Sequence, residues 1–242
     1  MNEVIRQLFE RKSIRAYTEQ EIGAAEKRAI LRAAAESPTA GNQQLYTILD
    51  ITNQTLKEKL VETCDHQPMI AQAKMVLIFC ADCKKWYDAY LAVGCQTRKP
   101  GVGDLMLACT DAMIAAQNAV TAAESLGIGS CYIGDIMENC ETQRELLHLP
   151  EYVVPVGMLI FGYPTEQQIR RPKPERVEMK YIVHENGYIP LSQQDLEDMW
   201  TPRAGEKGYA AWMQAFCNRK YNSDFSREMT RSVARYLEQF EK

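Results

Sequence analysis

A long alanine-rich segment between Leu105 and Leu126 constrains the fold of this chain most strongly. Its length and apolarity approach those of a membrane span, but Asp111 and Glu124 interrupt it with charge. We therefore predict a buried helix of a globular core. Gly127 follows the last apolar residue, and glycine is the usual residue just beyond the end of a helix.

The flanking sequence alternates between helical and extended patterns. The spacing of apolar residues predicts helices over 3–10, 84–93 and 142–147, and in the tail from about 191. It also predicts a helix that follows Thr18 and ends at about 36, and one that follows Thr55 and ends at about 64. Two helices have candidate capping boxes, Thr18 with Glu21 and Thr55 with Glu58. Apolar runs over 46–51, 75–80, 128–133 and 153–161 predict strands. Because the strands show no regular βαβ spacing, we predict an α+β fold rather than a doubly wound parallel sheet.

The composition is that of an ordinary globular protein, with 46% apolar and 25% charged residues. The formal net charge of -4 argues against nucleic acid as the main partner. The charge is uneven, since residues 203–242 carry eight basic and five acidic side chains, which favours an anionic small-molecule partner. The first residues contain no apolar run of signal-peptide length, so the eight cysteines indicate reduced thiols in a cytoplasmic protein.

The densest cluster of candidate binding residues is Arg11-Lys12-Ser13-Ile14-Arg15, between two predicted helices. In an extended stretch Arg11, Ser13 and Arg15 point to the same side, because side chains alternate along the backbone. Two guanidinium groups with a hydroxyl between them suit a phosphate group. A solvated basic turn is the alternative that spacing alone leaves open.

Two loops rich in small residues are further candidates. Ser37–Gln44 lies between a predicted helix and a predicted strand, where its amides could bind a sugar-like chain or a heterocycle edge. An ordinary connecting loop is the competing interpretation.

Gly127–Asp135 could present backbone N–H groups to a planar ring. Its G-x-G-x-x-Y spacing follows a helix, so it is not the dinucleotide-binding fingerprint.

Lys173 and Arg176 lie in a proline-rich loop that could hold a cation near developing negative charge. An exposed basic loop explains them equally well. The sequence contains no P-loop, nucleophile elbow or zinc-protease motif, and the three histidines form no triad-like signature.

Cys80-Ala-Asp-Cys83 could be a redox dithiol or half of a zinc site. Zinc would need two more ligands, for which Cys64 and His66 are the nearest candidates. Because Cys80 ends an apolar strand, a buried structural cysteine is the favoured interpretation.

Five stretches, in this order, resemble the nitroreductase family of flavin enzymes, and within it the oxygen-insensitive NADPH nitroreductase and flavin reductase branch. They are RKSIRAY, SPTAGNQQLYTILDIT, HQPMIAQAKMVLIFCAD, AQNAVTAAESLGIGSCYIGDI and RRPKPERVEMKYIVHENGY. Each motif is weak by itself, but five in register are specific. The resemblance covers about residues 3–190 and is weaker in the tail.

The resemblance implies an α+β nitroreductase-like fold, with a mostly antiparallel central sheet flanked by helices, in an intertwined homodimer that binds FMN at its interface. Carried over by position, the FMN-binding residues would be Arg11, Lys12, Ser13, Arg15, Thr39, Gly41, Asn42, Gln44, Gln67, Tyr132, Ile133, Gly134, Asp135, Lys173 and Arg176. Arg219 and Lys220 loosely resemble the stretch that binds the NADPH 2′-phosphate in this branch. No catalytic side chain and no metal are expected, because the flavin carries the chemistry.

The resemblance implies an FMN-dependent NAD(P)H oxidoreductase that reduces nitroaromatics, quinones or free flavin by ping-pong hydride transfer. Residues 1–190 would form the FMN-binding core, and residues 191–242 a helical extension for NADPH contact and dimerisation. The expected partners are a second copy of the chain and small planar oxidants, not nucleic acid or membrane. Two alternatives stay open: a flavin-binding redox sensor with little turnover, and a thiol or metal protein built on Cys80 and Cys83.

Overall fold

A computed structural model describes residues 1–241, which divide into two compact units. The first unit contains Met1–Pro172 and the chain from Glu228 onward, and the second contains Lys173–Arg227. The boundaries of the two units are set by how compactly each unit is folded. The predicted division at residue 190 concerns function and stays a prediction.

The first unit is built around a four-stranded sheet. Its strands are β1 Tyr46–Asp50, β2 Met75–Asp82, β3 Gly129–Ile133 and β4 Val153–Gly162. Its helices are α1 Glu3–Glu10, α2 Ala24–Ala35, α3 Gln54–Thr63, α4 Met69–Gln72, α5 Lys84–Ala92, α6 Val102–Ser125, α7 Cys140–Leu146 and α8 Glu166–Arg170. The second unit contains α9 Gln193–Ala204 and α10 Tyr209–Lys220, and α11 Asp224–Leu237 runs from it back into the first unit.

The strands follow the order β1-β2-β4-β3, and each neighbouring pair is antiparallel. The two central strands, β2 and β4, are apolar along most of their length, and Leu77 of β2 pairs with Leu159 of β4. A central strand that is covered on both faces needs a continuous apolar run. The runs MVLIFC and VVPVGMLIF could therefore be recognised as strands from the sequence. The predicted α+β fold with an antiparallel sheet is confirmed.

Helix α6 is the predicted alanine-rich helix, and its small side chains let it lie closely against the sheet. Ala112, Ala115 and Ala119 are fully buried in one cluster with Phe79 and Phe161 of the central strands. Gly127 has a φ of 72°, the left-handed conformation that ends a helix with little strain in glycine. No helix in the described part of the chain combines the length and apolarity that a membrane span requires.

The predicted capping box of Thr18 and Glu21 is wrong, because α2 begins later, at Ala24. Gly23 is the N-cap, and its backbone N–H donates to a carboxylate oxygen of Glu26 at 2.6 Å. Thr18 instead belongs to the segment that lies along the sheet, where its N–H donates to the carbonyl of Tyr163 at 2.8 Å. Sheet pairing therefore extends the non-helical stretch beyond the point that the local pattern indicates.

The predicted cap of α3 is also wrong. Asn53, not Thr55, is the N-cap, and its side-chain oxygen accepts from the N–H of Leu56 at 2.9 Å. Asn and Thr are both good N-cap residues. With Asn53 as the cap, the helix begins at Gln54 and is two residues longer at its N-terminus than predicted.

The second unit is held together in part by an aromatic stack. Trp200 of α9 stacks on Trp212 of α10 with ring centroids 6.2 Å apart, and Trp212 stacks on Phe216 at 5.0 Å. The guanidinium of Arg203 lies 4.9 Å from the centroid of Trp200, and that of Arg219 lies 5.1 Å from Phe216. The two helices thus share an apolar ladder with a cation at each end.

The chain returns to the first unit through the later part of α11. Tyr236 and Phe240 are buried there in a cluster with Leu45, Ala81 and Tyr152. The ring of Tyr152 meets that of Phe240 edge to face at a centroid distance of 5.5 Å. The C-terminal segment is therefore part of the core of the first unit.

Candidate functional site

The basic stretch near the N-terminus is anchored to the edge strand β3. The backbone N–H of Ile14 donates to the carbonyl of Ser130 at 2.9 Å, and Ser13 forms a single parallel bridge with Ser130. Gly129 makes this approach possible, because a Cβ at that position would lie 2.5 Å from Cγ1 of Ile14. Because Gly129 has no side chain, the basic stretch can lie directly against β3 at this position.

Arg11 has buried hydrogen-bond donors that nothing in the described residues satisfies. Its Nε and Nη2 atoms are buried and have no hydrogen-bond partner. The guanidinium lies 6.0 Å from the ring centroid of Tyr132. Buried donors of a charged group are normally paired, so an unpaired guanidinium edge indicates a place for an anion.

Arg171 is a second arginine with a buried, unpaired donor atom in the described structure, and the sequence analysis missed it. Its Nη2 donates to the carbonyl of Ser13, and its Nε is buried without a hydrogen-bond partner in the described chain. The sequence singled out the stretch from 170 to 176 but favoured Lys173 and Arg176 within it. We refer to Arg11, Ser13 and Arg171 as the guanidinium site: Arg171 is bonded to Ser13, which lies two residues after Arg11.

Lys12 and Arg15 have different environments from Arg11. The ammonium of Lys12 donates to the carbonyl of Ile169 at 2.7 Å and to that of Arg171, where it ties the end of α8 to the basic stretch. Arg15 has an exposed side chain, and its backbone N–H donates to Oε1 of Gln168 at 3.3 Å. Lys12 thus helps to place Arg171, and direct contact of Lys12 or Arg15 with FMN stays a prediction.

The Ser37–Gln44 loop adopts an unusual backbone conformation. Gly41, Asn42 and Gln44 all have positive φ, at 56°, 57° and 52°. The hydroxyl of Thr39 accepts from the backbone N–H of Gln44 at 3.2 Å, which closes the loop across its base. Non-glycine residues with positive φ concentrate at functional sites, so the conformation supports the predicted binding role.

The residues predicted to face the flavin ring lie at the end of β3 and in the turn that follows. Ile133 is buried, Tyr132 is half-buried, and Gly134 and Asp135 form the turn. Burial raises the pKa of Tyr132 to about 12, with the cation of Arg11 acting in the opposite direction. The Tyr132 hydroxyl therefore stays protonated at neutral pH and donates to Oε1 of Gln117 at 3.3 Å.

Gln67 lies near this turn. Its Nε2 donates to the carbonyl of Cys64 at 3.1 Å, and the charge of Asp135 is among the causes that raise the pKa of Cys64. Burial, with the charges of Asp135 and Asp65, also raises the pKa of Glu138 to about 7. The predicted ring-facing turn therefore lies beside a carboxyl group that can exchange a proton near neutral pH.

The remaining predicted residues belong to the second unit. Arg176 lies near its start, and Lys173 is its first residue. Arg219 and Lys220 are both exposed at the end of α10, where Arg219 is stacked on Phe216. Their predicted contacts with FMN or NADPH stay predictions.

The thiol and metal alternative is not favoured. Burial raises the pKa of Cys80 and of Cys83 to about 12, so neither is a thiolate at neutral pH. Among residues 1–241, no group of three His, Cys, Asp or Glu side chains is arranged to hold a metal ion.

We expect Cys95 and Cys217 to be alkylated rapidly in the native protein, because both thiols are exposed. Cys80 and Cys83 should react only after denaturation, since they are buried and protonated. Timed labelling with iodoacetamide, read by peptide mass spectrometry, checks this. Rapid native labelling of Cys80 or Cys83 would revive the dithiol alternative.

Comparisons with known proteins identify the family to which this chain belongs. The model of the nitroreductase family matches residues 8–163. The oxygen-insensitive NADPH nitroreductase of Salmonella typhimurium is 36% identical over 195 residues, which cover 80% of this chain and 78% of that protein. The FMN reductase of Bacillus subtilis that uses NAD(P)H is 30% identical, over 98% of this chain and 92% of that protein. The structure of B. megaterium NfrA2 superimposes with a TM-score of 0.84 at 30% identity and covers 99% of this chain and 98% of its own. The chain belongs to the nitroreductase family.

Proposed function

We propose that this protein is an FMN-dependent NAD(P)H oxidoreductase that reduces nitroaromatics, quinones or free flavin by a ping-pong route. The observation that carries the proposal is the side chain of Arg11 beside Tyr132, because its buried Nε and Nη2 atoms have no hydrogen-bond partner among residues 1–241. The relatives named above as an NADPH nitroreductase and an FMN reductase support the same activity.

The residues at the site fit FMN. Arg11 and Arg171 would hold its phosphate, because their buried donor atoms match the acceptor oxygens of a phosphate group. The loop with Gly41, Asn42 and Gln44 would line the ribityl chain, and the turn at Gly134 would face the ring. Bound FMN supplies hydride transfer between NAD(P)H and the acceptor. The side chains bind and orient, which explains why the sequence contains no nucleophile motif.

The direct test is isolation of the protein with its cofactor. We expect yellow protein that releases about one FMN per chain on denaturation and oxidises NADPH when a nitroaromatic or quinone is added. A colourless protein that cannot be reconstituted with FMN would refute the proposal. FMN binding without NADPH turnover across an acceptor panel would favour the redox-sensor alternative.

We also propose that Arg219 and Lys220 in the tail bind the 2′-phosphate of NADPH. Arg219→Ala combined with Lys220→Ala should raise the KM for NADPH several-fold and leave the KM for NADH nearly unchanged, because only NADPH carries the extra phosphate. Higher salt should weaken NADPH use more than NADH use, since exposed ion contacts are screened. Lys207→Ala, which removes an exposed cation from the same unit, is the control. Equal effects on both cofactors would contradict this assignment.

The active form is proposed to be a homodimer in the cytoplasm. Apolar side chains on α1 are exposed in the single chain, including Val4 at 54% and Phe9 at 66%. Such a face is normally covered in a stable assembly. All eight cysteines are unpaired, as is usual for a reducing compartment. Light scattering should give twice the chain mass for the FMN-loaded enzyme, and an active, FMN-loaded monomer would refute the dimer.

A further inference from the structure

The strained loop between α2 and β1 rests on a single buried carboxylate. Asp111 of α6 is 2% exposed. Its Oδ1 accepts from the backbone N–H of Ala40 at 2.9 Å, and its Oδ2 accepts from the N–H of Leu45 at 3.2 Å. One side chain therefore joins the two ends of the segment 40–45, which contains the second half of the loop.

The residues between these two contacts are the ones that need support. Gly41, Asn42 and Gln44 are exposed and have positive φ. For Asn42 and Gln44 this conformation is unfavourable and persists only where the surroundings enforce it. The carboxylate of Asp111 lies on a rigid, buried helix, so it can fix both ends of the loop at a constant separation.

Two side chains of α5 bind the same stretch from its carbonyl side. The indole Nε1 of Trp86 donates to the carbonyl of Gln43 at 2.7 Å, and the ammonium of Lys85 donates to that of Tyr46 at 2.6 Å. Backbone donors of the loop thus face Asp111 while backbone acceptors face α5. This arrangement sets the orientation of the peptide groups, which a hydrophobic contact would not do.

We propose that Asp111 is a positioning residue that holds the loop in its FMN-binding conformation before the cofactor arrives. Asp111 does not touch FMN in this proposal and acts through Ala40 and Leu45. The inference rests on the proposed function, because it assigns the loop to FMN. It adds that a buried acid on the alanine-rich helix determines cofactor affinity.

The test compares two variants that break the same contact from opposite sides. Asp111→Asn keeps the volume but places an amide donor against one of the two backbone donors. Ala40→Pro removes the N–H of Ala40, at the first position of a short helical turn that follows extended Thr39, where proline fits. If Asp111→Asn does not fold, Ala40→Pro still provides the measurement.

Both variants should raise the FMN dissociation constant about tenfold or more, since a hydrogen bond to a charged group is lost. Amide hydrogen exchange in the apo-protein should speed up in residues 39–45 and stay unchanged in β2 and β4. The double variant should weaken binding by less than the product of the single effects, because both changes remove one shared bond. Asp104→Asn, on the same helix but bonded to Arg98 and Gly101, is the matched control and should leave FMN affinity and loop exchange unchanged.

Measurements at a temperature where every variant is fully folded separate the loop effect from a loss of stability. Unchanged exchange in the loop, or faster exchange with normal FMN affinity, would overturn the proposal. If the wild type binds FMN and the variants bind it equally well, only the role of Asp111 fails. If the wild type binds no FMN, the proposed function fails as well.

Discussion

Arg11→Ala is expected to raise the dissociation constant for FMN by about tenfold to a hundredfold. The side chain has two buried donor atoms without a partner in the described part of the chain, and a hydrogen bond from a charged group contributes roughly 1.5–3 kcal/mol. Removing the guanidinium also leaves no unpaired buried donor behind, so the apo-protein should keep its stability. Fluorescence titration of apo-protein with FMN gives the dissociation constant.

Arg171→Ala should have an effect in the same direction, because its Nε is also buried and unpaired in the described structure. The neighbouring Arg170 provides the control, since its side chain is exposed and bonded to Glu166 at 2.7 Å. Arg170→Ala should leave FMN affinity unchanged. Normal FMN affinity in both Arg11→Ala and Arg171→Ala would contradict the proposal that the guanidinium site binds the FMN phosphate.

Gly129→Ala is expected to cost about 1–3 kcal/mol of stability, which is typical of overpacking in a close-packed interior. The new Cβ would lie 2.5 Å from Cγ1 and 2.7 Å from Cβ of Ile14. Because the Cβ of Ile14 is fixed by the backbone, rotation of the side chain cannot relieve this contact. The stretch from 11 to 15 would have to shift away from β3, so FMN affinity should fall along with the melting temperature. Thermal unfolding of the apo-protein and FMN titration measure the two effects.

Gly103→Ala is the control for this substitution. Gly103 lies inside α6, and a Cβ there would meet nothing within 4 Å. Gly103 is the second residue of α6, where alanine gains less over glycine than the roughly 0.5–1 kcal/mol of a helix interior, so this variant should be about as stable as the wild type or slightly more stable. If Gly129→Ala behaved in the same way as Gly103→Ala, the basic stretch would not depend on close contact with β3.

The sheet and the long helix could be predicted because burial leaves a direct pattern in the chain. Strands β2 and β4 are apolar runs, and α6 is an alanine-rich segment ended by Gly127. Helix starts were less predictable. Asn53 and Thr55 are both acceptable caps of α3, and the local pattern does not choose between them. For α2, it is pairing with distant Tyr163 that keeps Thr18 out of a helix.

The missed site residues act through contacts that are remote in sequence. Asp111 binds Ala40, which is 71 positions away, and Arg171 binds Ser13, which is 158 positions away. Asp111 did leave a signal, because it is a lone acid on the buried face of an apolar helix. An acid in that place needs donors, and only the three-dimensional structure shows that they belong to the loop.

The return of the chain to the first unit has a consequence for biosynthesis. A nascent chain that has been translated only as far as Arg227 already contains all four strands, yet Tyr236 and Phe240 are still missing from the cluster around Leu45, Ala81 and Tyr152. Leu45 also donates its N–H to Asp111, so the loop beside it would lose a packing partner on one side. The segment with Tyr236 and Phe240 must therefore leave the ribosome before this cluster of the first unit can close. A premature stop codon within α11 should yield an insoluble product that is cleared by proteases, rather than a shortened enzyme.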